Sequence, residues 1–338
     1  MSVKIIAEAG VNHNGDINLA KELINIASDA NADYIKFQSF KAENLATKEA
    51  EKSDYQKSNT KNNDTQYNML KSLELSKKDH IELINYCQYK DIKFLSSAFD
   101  LDSLDFLLKL ECELIKIPSG EINNYYYLEK ISHQEIPVIL STGMSTINEI
   151  ESAIKILTSN KLSINDITIL HCNTEYPTPM IDVNLKAMLK IKERFNVDIG
   201  YSDHTLGIEV PIAAVALGAR VIEKHFTIDR SLKGPDHACS LEPLELKNMI
   251  DAIRNIEIAC SGDGNKYPTA SEIKNKLIVR KSLYSSKDIK KGTKLARDMI
   301  IALRPGDGIS PMEIPNLVGR TFKRNLKISE KITYEDFE

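Results

Sequence analysis

Ile199-Gly200-Tyr201-Ser202-Asp203-His204 and, one helix-length further on, Val221-Ile222-Glu223-Lys224-His225 are two apolar, strand-like runs that each end in a histidine. The same pattern runs through the rest of the chain. Lys4-Ile5-Ile6-Ala7 stops at Glu8. Tyr34-Ile35 stops at Lys36, with Gln38 two residues on. Phe94-Leu95 stops at Ser96-Ser97, and Leu114-Ile115 at Lys116, followed by Ser119 and Glu121. Val138-Ile139-Leu140 stops at Ser141, and Ile167 to Leu170 at His171. Eight runs with eight polar ends predict an α/β chain in which a parallel (β/α)8 TIM barrel gathers all strand C-termini around one rim and one pocket.

Between the runs the apolar period changes from 2 to about 3.6. Leu19, Leu23, Ile26 and Ala27 share one helical face; Leu101, Leu104, Leu107 and Leu108 another; Ile147, Ile150, Ile154 and Leu157 a third; Leu185, Met188, Leu189 and Ile191 a fourth; Leu244, Leu246, Met249, Ile253 and Ile256 a fifth. Asp16, Asp100 and Ser145 or Thr146 (with Glu149) stand where N-caps belong. An open doubly wound sheet is the rival arrangement, but Gly10-Val11-Asn12-His13-Asn14-Gly15 follows the first strand where a dinucleotide fold would carry its GxGxxG turn.

The 338 residues exceed one barrel of about 250 residues by enough for a small second domain. Hydrophobic residues make up 42% and charged residues 27%, as in soluble globular proteins. A net charge of −4 offers no electrostatic reason to expect nucleic acid or a membrane surface as partner. No apolar run approaches the roughly 20 residues of a membrane span, and Met1-Ser2-Val3-Lys4 leads straight into a strand without a signal sequence. Five cysteines without CxxC spacing read as reduced thiols in a cytoplasm, with Cys112 and Cys172 as small core residues.

Residues 40–77, rich in Lys, Glu, Asn, Ser and Thr, form a long second βα loop, which reads as a lid or a partly disordered segment. Composition shifts again after Cys260. The expected division is a barrel over 1–262, a linker over 263–280 and a small domain of short strands and turns over 281–338.

Rim chemistry comes next. His204 and His225 end neighbouring strands, about 4.8 Å apart, so they can share one divalent ion and leave its other positions to substrate oxygens and water. The alternative is two buried, satisfied histidines; Asp203 and Asp236 nearby favour the metal. Lys36 and Lys116, with Ser97, Ser119 and Ser141, resemble a cradle for phosphate or carboxylate. The alternative is charge balance against Glu8 or Glu121, and both can hold at once. Glu8 and Glu121 can divide acid and base work. Arg304 stands before the turn Pro305-Gly306-Asp307-Gly308. Tyr125-Tyr126-Tyr127 read as helix packing, and His13, His80, His133 and His237 have no evident partner. Together these residues point to a metal-assisted enzyme acting on a small anionic, phosphorylated molecule.

The motifs Ile6-Ala-Glu-Ala-Gly-Val-Asn-His-Asn-Gly15, Ile35-Lys-Phe-Gln38, Ile115-Lys-Ile-Pro-Ser-Gly-Glu121, Leu140-Ser-Thr-Gly-Met144, Leu170-His-Cys172 with Tyr176-Pro-Thr-Pro179, Gly200-Tyr-Ser-Asp-His-Thr205, Glu223-Lys-His-Phe-Thr227 and Gly234-Pro-Asp236 resemble, in order, the sialic acid (nonulosonic acid) synthases. Arg280-Lys-Ser-Leu-Tyr284, Lys287-Asp-Ile-Lys-Lys-Gly292, Leu303-Arg-Pro-Gly306 and Val318-Gly319 resemble their C-terminal antifreeze-like (SAF) domain, a β-clip. The resemblance implies condensation of phosphoenolpyruvate with the open-chain aldehyde of an N-acetylated hexose, with water releasing phosphate. N-acetylmannosamine, giving N-acetylneuraminate, is the default acceptor. A 2,4-diacetamido-6-deoxy hexose, giving legionaminate or pseudaminate, is the alternative, and a metal-dependent aldolase is the more distant one.

The resemblance also implies roles. His204 and His225 would hold Mn2+ or Mg2+; Lys36, Ser97, Lys116, Ser119 and Ser141 would bind phosphoenolpyruvate; Glu8 and Glu121 would position water and hydroxyls. Gln38, Tyr176 and Asp236 would bind the sugar, and Arg304 would reach over from the second subunit of a homodimer whose SAF domain caps the partner's barrel. The chain departs from the family pattern at Thr174, at Ser97 where threonine is usual, and at Pro118.

Overall fold

The computed structural model describes residues 2–60, 64–110 and 112–338, in two compact units, 1–261 and 262–338. In the first unit eight parallel strands close a barrel in sequence order: β1 Lys4–Gly10, β2 Tyr34–Ser39, β3 Lys93–Ala98, β4 Ile115–Ile117, β5 Val138–Ser141, β6 Ile167–His171, β7 Asp198–Asp203 and β8 Val221–His225. The register between β8 and β1 pairs Glu8 with His225, and that between β1 and β2 pairs Glu8 with Lys36. Three chemically active residues therefore sit side by side.

Alternation sorts each strand into two faces. Outward residues such as Ile5, Ala7, Ile35, Phe37, Leu140 and Ile199 join the helices in the main apolar cluster. Inward residues form layers, as in other closed parallel barrels. The lower layer is Ile6, Tyr34, Leu95, Leu114, Ile139, Leu170 and Val221, a separate buried cluster. Its eighth position is Gly200, where an added Cβ would lie 2.5 Å from Leu170 Cδ2, so Leu170 already occupies that space. Two residues further along the same strands stand Glu8, Lys36, Ser97, Lys116, Ser141, Cys172, Ser202 and Glu223, all buried. The apolar layer plugs the barrel, and the polar layer is the floor of the rim pocket.

The helices follow the expected signals. Asp16 caps Ile17–Asp29 through Asn18 N, Asp100 caps Leu101–Leu108 through Ser103 N, and Thr146 forms a capping box with Glu149 before Ile147–Leu157. Leu246, Met249, Ile250 and Ile253 are the buried face of Pro243–Ala259. Leu244, expected on that face, is 70% exposed, because it lies in the first turn and off the stripe. Tyr127 is buried, but Tyr125 and Tyr126 are exposed, so only one of the three tyrosines packs.

The 40–77 segment is more ordered than its composition implies. It carries helices Ala42–Leu45, Asp54–Thr60 and Gln66–Leu73. Met69 and Leu73 pack with Val11 and Phe40 in a small cluster of their own. Helix Asp54–Thr60 buries no residue.

The second unit pairs β9 Ser282–Ser285 antiparallel with β10 Ile300–Leu303 around a core of Leu283, Ile289, Leu295, Ile309, Leu317, Phe322, Leu326, Ile332 and Phe337. The stretch 263–280, expected to be a plain linker, contains helix Ala270–Val279. Thr269 and Glu272 supply its capping box, a signal present in the sequence.

Candidate active site

The floor holds two lysines and two glutamates. Lys36 Nζ lies 2.9 Å from Glu8 Oε2, 3.6 Å from Glu223 Oε2 and 3.1 Å from Ser97 Oγ. Lys116 Nζ lies 3.3 Å from Glu223 Oε1, which also accepts from Ser202 Oγ at 3.0 Å. The counter-charge of Lys116 is thus Glu223 rather than Glu121. Glu223 is a buried residue of the pocket floor to which motif reading gave no role. The signal for it was parity: it lies two residues before His225 and so shares its inward face.

Burial pushes Glu8 up to about 7 despite Lys36. It also works against Glu223, but Lys116 and Lys36 outweigh it and hold Glu223 at about 2. For Lys36, the two carboxylates outweigh burial and raise it; Lys116 is lowered by burial that Glu223 only partly offsets. Lys116 is therefore the under-compensated cation, and an anion placed beside it would restore the balance. Ser119 Oγ, on the loop after β4, accepts from Gly143 N at 2.9 Å and lies 3.4 Å from Cys172 Sγ. Ser141 Oγ is buried without a protein partner among the described residues.

Beside the floor stand the imidazoles, with ring centroids 5.6 Å apart. Burial holds His204 down to about 4 and His225 well below the ordinary range, so both are neutral at neutral pH. His204 Nδ1 donates to the Asn173 carbonyl, so Nε2 is the acceptor, and its lone pair takes the Tyr176 hydroxyl in this structure. A backbone carbonyl behind a ligating imidazole is the usual second-shell support of a metal-binding histidine. His225 Nδ1 is buried with no protein partner among the described residues. These features fit a divalent cation. Among the described residues no group of three or more His, Cys, Asp or Glu forms a metal site, so the two imidazoles could only part-fill a coordination sphere.

Asp203 does not face this pair. It is on the outward face, where its Oδ2 accepts from Lys224 Nζ and from Thr205 Oγ1, and its Oδ1 from Thr205 N. It clamps the turn that carries His204, so its closeness in sequence does not make it a ligand. Parity also explains His171: it points outward, and its Nε2 bonds the Val183 carbonyl.

The remaining wall is polar and aromatic. Tyr176 lies over His204 with centroids 4.1 Å apart, and its hydroxyl is 3.1 Å from His204 Nε2. Gln38 Nε2 donates to Glu8 Oε1 at 3.4 Å. Glu121, raised by burial, accepts from Asn124 at 2.6 Å. Asp236 is buried and pushed up to about 6 by desolvation. Gly10, at φ +53°, gives β1 room here: an added Cβ would lie 3.2 Å from His225 and 3.4 Å from both Gln38 and Glu8. Arg304 is in the second unit, its Nε donating to the Val279 carbonyl at 2.9 Å. Three of the other four histidines have structural bonds: His80 to Ser39 and Ser76, His237 to Thr227 and Asn14, and His13 to Gly15 N; His133 is exposed.

A closed parallel barrel whose rim joins an under-compensated lysine, serine hydroxyls of which Ser141 has no protein partner among the described residues, a near-neutral carboxylate and two neutral imidazoles defines an enzyme for a small anionic substrate. The chain belongs to the NeuB family, whose pattern matches residues 23–266, with a SAF domain over 280–338. Its enzyme class is the phosphoenolpyruvate-dependent condensing synthases. The chain is 52% identical to the N,N'-diacetyllegionaminic acid synthase of Campylobacter jejuni over 97% of this chain and 98% of that one. It is 47% identical to the enzyme of the same name from Legionella pneumophila, over 100% and 95%. Among solved structures, the N-acetylneuraminic acid synthetase of Leptospira borgpetersenii aligns with a TM-score of 0.71 and 38% identity, covering 81% of this chain and 90% of that one.

Proposed function

We propose that this synthase takes a 2,4-diacetamido-6-deoxy hexose as acceptor and makes an N,N'-diacetyllegionaminate-type nine-carbon 2-keto acid. The 52% and 47% identities to synthases of that name, over nearly full lengths, favour this sugar over N-acetylmannosamine. The reading of the site rests on one observation: the buried Lys36–Lys116 pair, short of negative charge at Lys116, opens beside two neutral imidazoles.

Phosphoenolpyruvate is held by Lys36 and Lys116 with the hydroxyls of Ser97, Ser119 and Ser141. Its C3 forms the new bond to the aldehyde carbon. Water adds at its C2, and loss of phosphate from that carbon leaves the ketone. The water gives up both of its protons: one balances the proton gained by the aldehyde oxygen, and the other leaves with the phosphate as the C2 hydroxyl becomes the ketone. Glu8, titrating near neutrality, is suited to taking the proton from water, and Glu121 to orienting hydroxyls at the pocket mouth. Gln38, Tyr176 and Asp236 hold the sugar. His204 and His225 would hold Mn2+ or Mg2+, which when bound supplies a Lewis acid for the aldehyde oxygen. The SAF domain of a second chain, through Arg304, completes the site in a homodimer. The described residues contain no helix long and apolar enough to cross a membrane, which accords with a cytoplasmic biosynthetic role.

The test is phosphate release from phosphoenolpyruvate with each of the two sugars, with and without a chelator. The expected result is release with the diacetamido sugar, abolished by the chelator and restored by Mn2+. Release with N-acetylmannosamine alone would overturn the substrate assignment, and chelator-resistant turnover would overturn the metal. Mixing Glu121→Ala and Arg304→Ala subunits tests the dimer. Recovered activity supports the crossing arrangement, and none after confirmed subunit exchange opposes it.

A further inference from the structure

Helix Asp54–Thr60 buries none of its residues, yet it is held against the sugar side of the pocket at two points. The Tyr55 ring stacks on Tyr176 with centroids 5.0 Å apart and an interplanar angle of 28°. Asn59 Nδ2 donates to the Pro235 carbonyl, next to Asp236, at 2.6 Å. Tyr176 in turn lies 4.1 Å from His204, so Tyr55, Tyr176 and His204 form one aromatic column leading away from the imidazole pair. A segment kept at a pocket without adding to any apolar core is placed for what it touches.

We infer that Tyr55 is a specificity-determining residue, which reads the acetamido group further from the aldehyde, the one at C4. This rests on the proposed reading that the acceptor is a diacetamido hexose. With the aldehyde at the His204 end, the sugar chain runs along the column, and its C4 substituent falls at the outer ring. An acetamido group offers a methyl, which suits the face of a phenol ring, and a carbonyl, which needs a donor. The Tyr55 oxygen accepts from Gln56 Nε2 at 3.4 Å and is bonded by the Ser53 side chain, and among the described residues its own O–H has no acceptor. N-acetylmannosamine carries a hydroxyl at this position and would leave the ring face uncovered. The whole wall belongs to the first unit, so a single chain carries the discrimination.

The experiment compares wild type, Tyr55→Phe and Tyr55→Ala on the diacetamido sugar and on N-acetylmannosamine, measuring KM and kcat for each sugar and KM for phosphoenolpyruvate. In Tyr55→Ala, the ratio of kcat/KM between the two sugars should fall by about 100-fold, as a lost hydrogen bond and a lost apolar contact together imply. In Tyr55→Phe it should fall by about 10-fold. The KM for phosphoenolpyruvate should stay within about twofold, because uniform binding at the floor is untouched. Asn59→Ala loosens the far end of the helix and should raise the KM of both sugars with a smaller change in their ratio. An unmoved ratio in Tyr55→Ala overturns the inference, as does a rise in the KM for phosphoenolpyruvate equal to that for the sugars. The wild-type measurements alone judge the substrate reading. If the wild type prefers N-acetylmannosamine, that reading fails, while Tyr55 is still judged by whether its variants move the ratio.

Discussion

The lower and upper layers of the barrel interior differ by two residues along each strand, and by almost everything else. Ile6 becomes Glu8, Tyr34 becomes Lys36, Leu95 becomes Ser97, Leu114 becomes Lys116, Ile139 becomes Ser141 and Val221 becomes Glu223. Both layers are buried. The lower one contributes stability through apolar packing. The upper one spends stability, since it holds two lysines and two carboxylates out of water and balances them imperfectly. What separates structure from chemistry here is height in the barrel, a step of about 6.6 Å along each strand.

The largest effect is expected at Lys116. Lys116→Met should lower kcat/KM for phosphoenolpyruvate by about 1000-fold and also lower the Tm, because Glu223 loses a partner while buried. Adding Glu223→Gln should recover much of the Tm and none of the activity; recovery of activity would place catalysis elsewhere. One layer down, Ile139→Ala should cost about 2–5 kcal/mol in urea unfolding through the cavity it leaves, with KM values close to wild type.

The third test uses pH. The folded carboxyl of Asp236 titrates near 6, above its unfolded value, so the native state binds the extra proton between about 4 and 6. Stability should therefore fall as pH rises through that window, and Asp236→Asn should remove about 3 kcal/mol of that fall. Glu8 titrates in the same direction at higher pH, so the two proteins should run parallel above pH 6. Identical Tm profiles between pH 4 and 6 would show that Asp236 is not desolvated. The smallest effect is at Ser141. Its hydroxyl has no protein partner among the described residues, so Ser141→Ala should leave the Tm unchanged while raising the KM for phosphoenolpyruvate about 10-fold. A loss of stability there would mean that Ser141 belongs with the layer below.

The barrel was legible because its strands alternate so regularly that their polar ends can be read off, and because Asp16, Asp100 and Thr146 cap where caps are expected. The same alternation contains what motif reading missed. Glu223 shares the face of His225, whereas Asp203 and His171 lie on the opposite face from the pocket, one clamping a turn and the other bonding a carbonyl. Proximity in sequence is not proximity in the site; parity along the strand decides which side chains meet. The 40–77 segment was harder, because its helices are short and polar and are held by contacts with distant loops, such as Asn59 with Pro235, that no local pattern encodes.

Helix Asp54–Thr60 also has a practical consequence for engineering. Since none of its residues belongs to the barrel's apolar core, exchanging it for the equivalent stretch of another synthase should not disturb the folding of the barrel. It is a cassette, bounded by Lys52, which bonds Thr60, and by Thr65, which caps the next helix. A library confined to 54–60 could explore new acceptors while the machinery that handles phosphoenolpyruvate stays constant, so the scope of the enzyme and its chemistry can be changed independently.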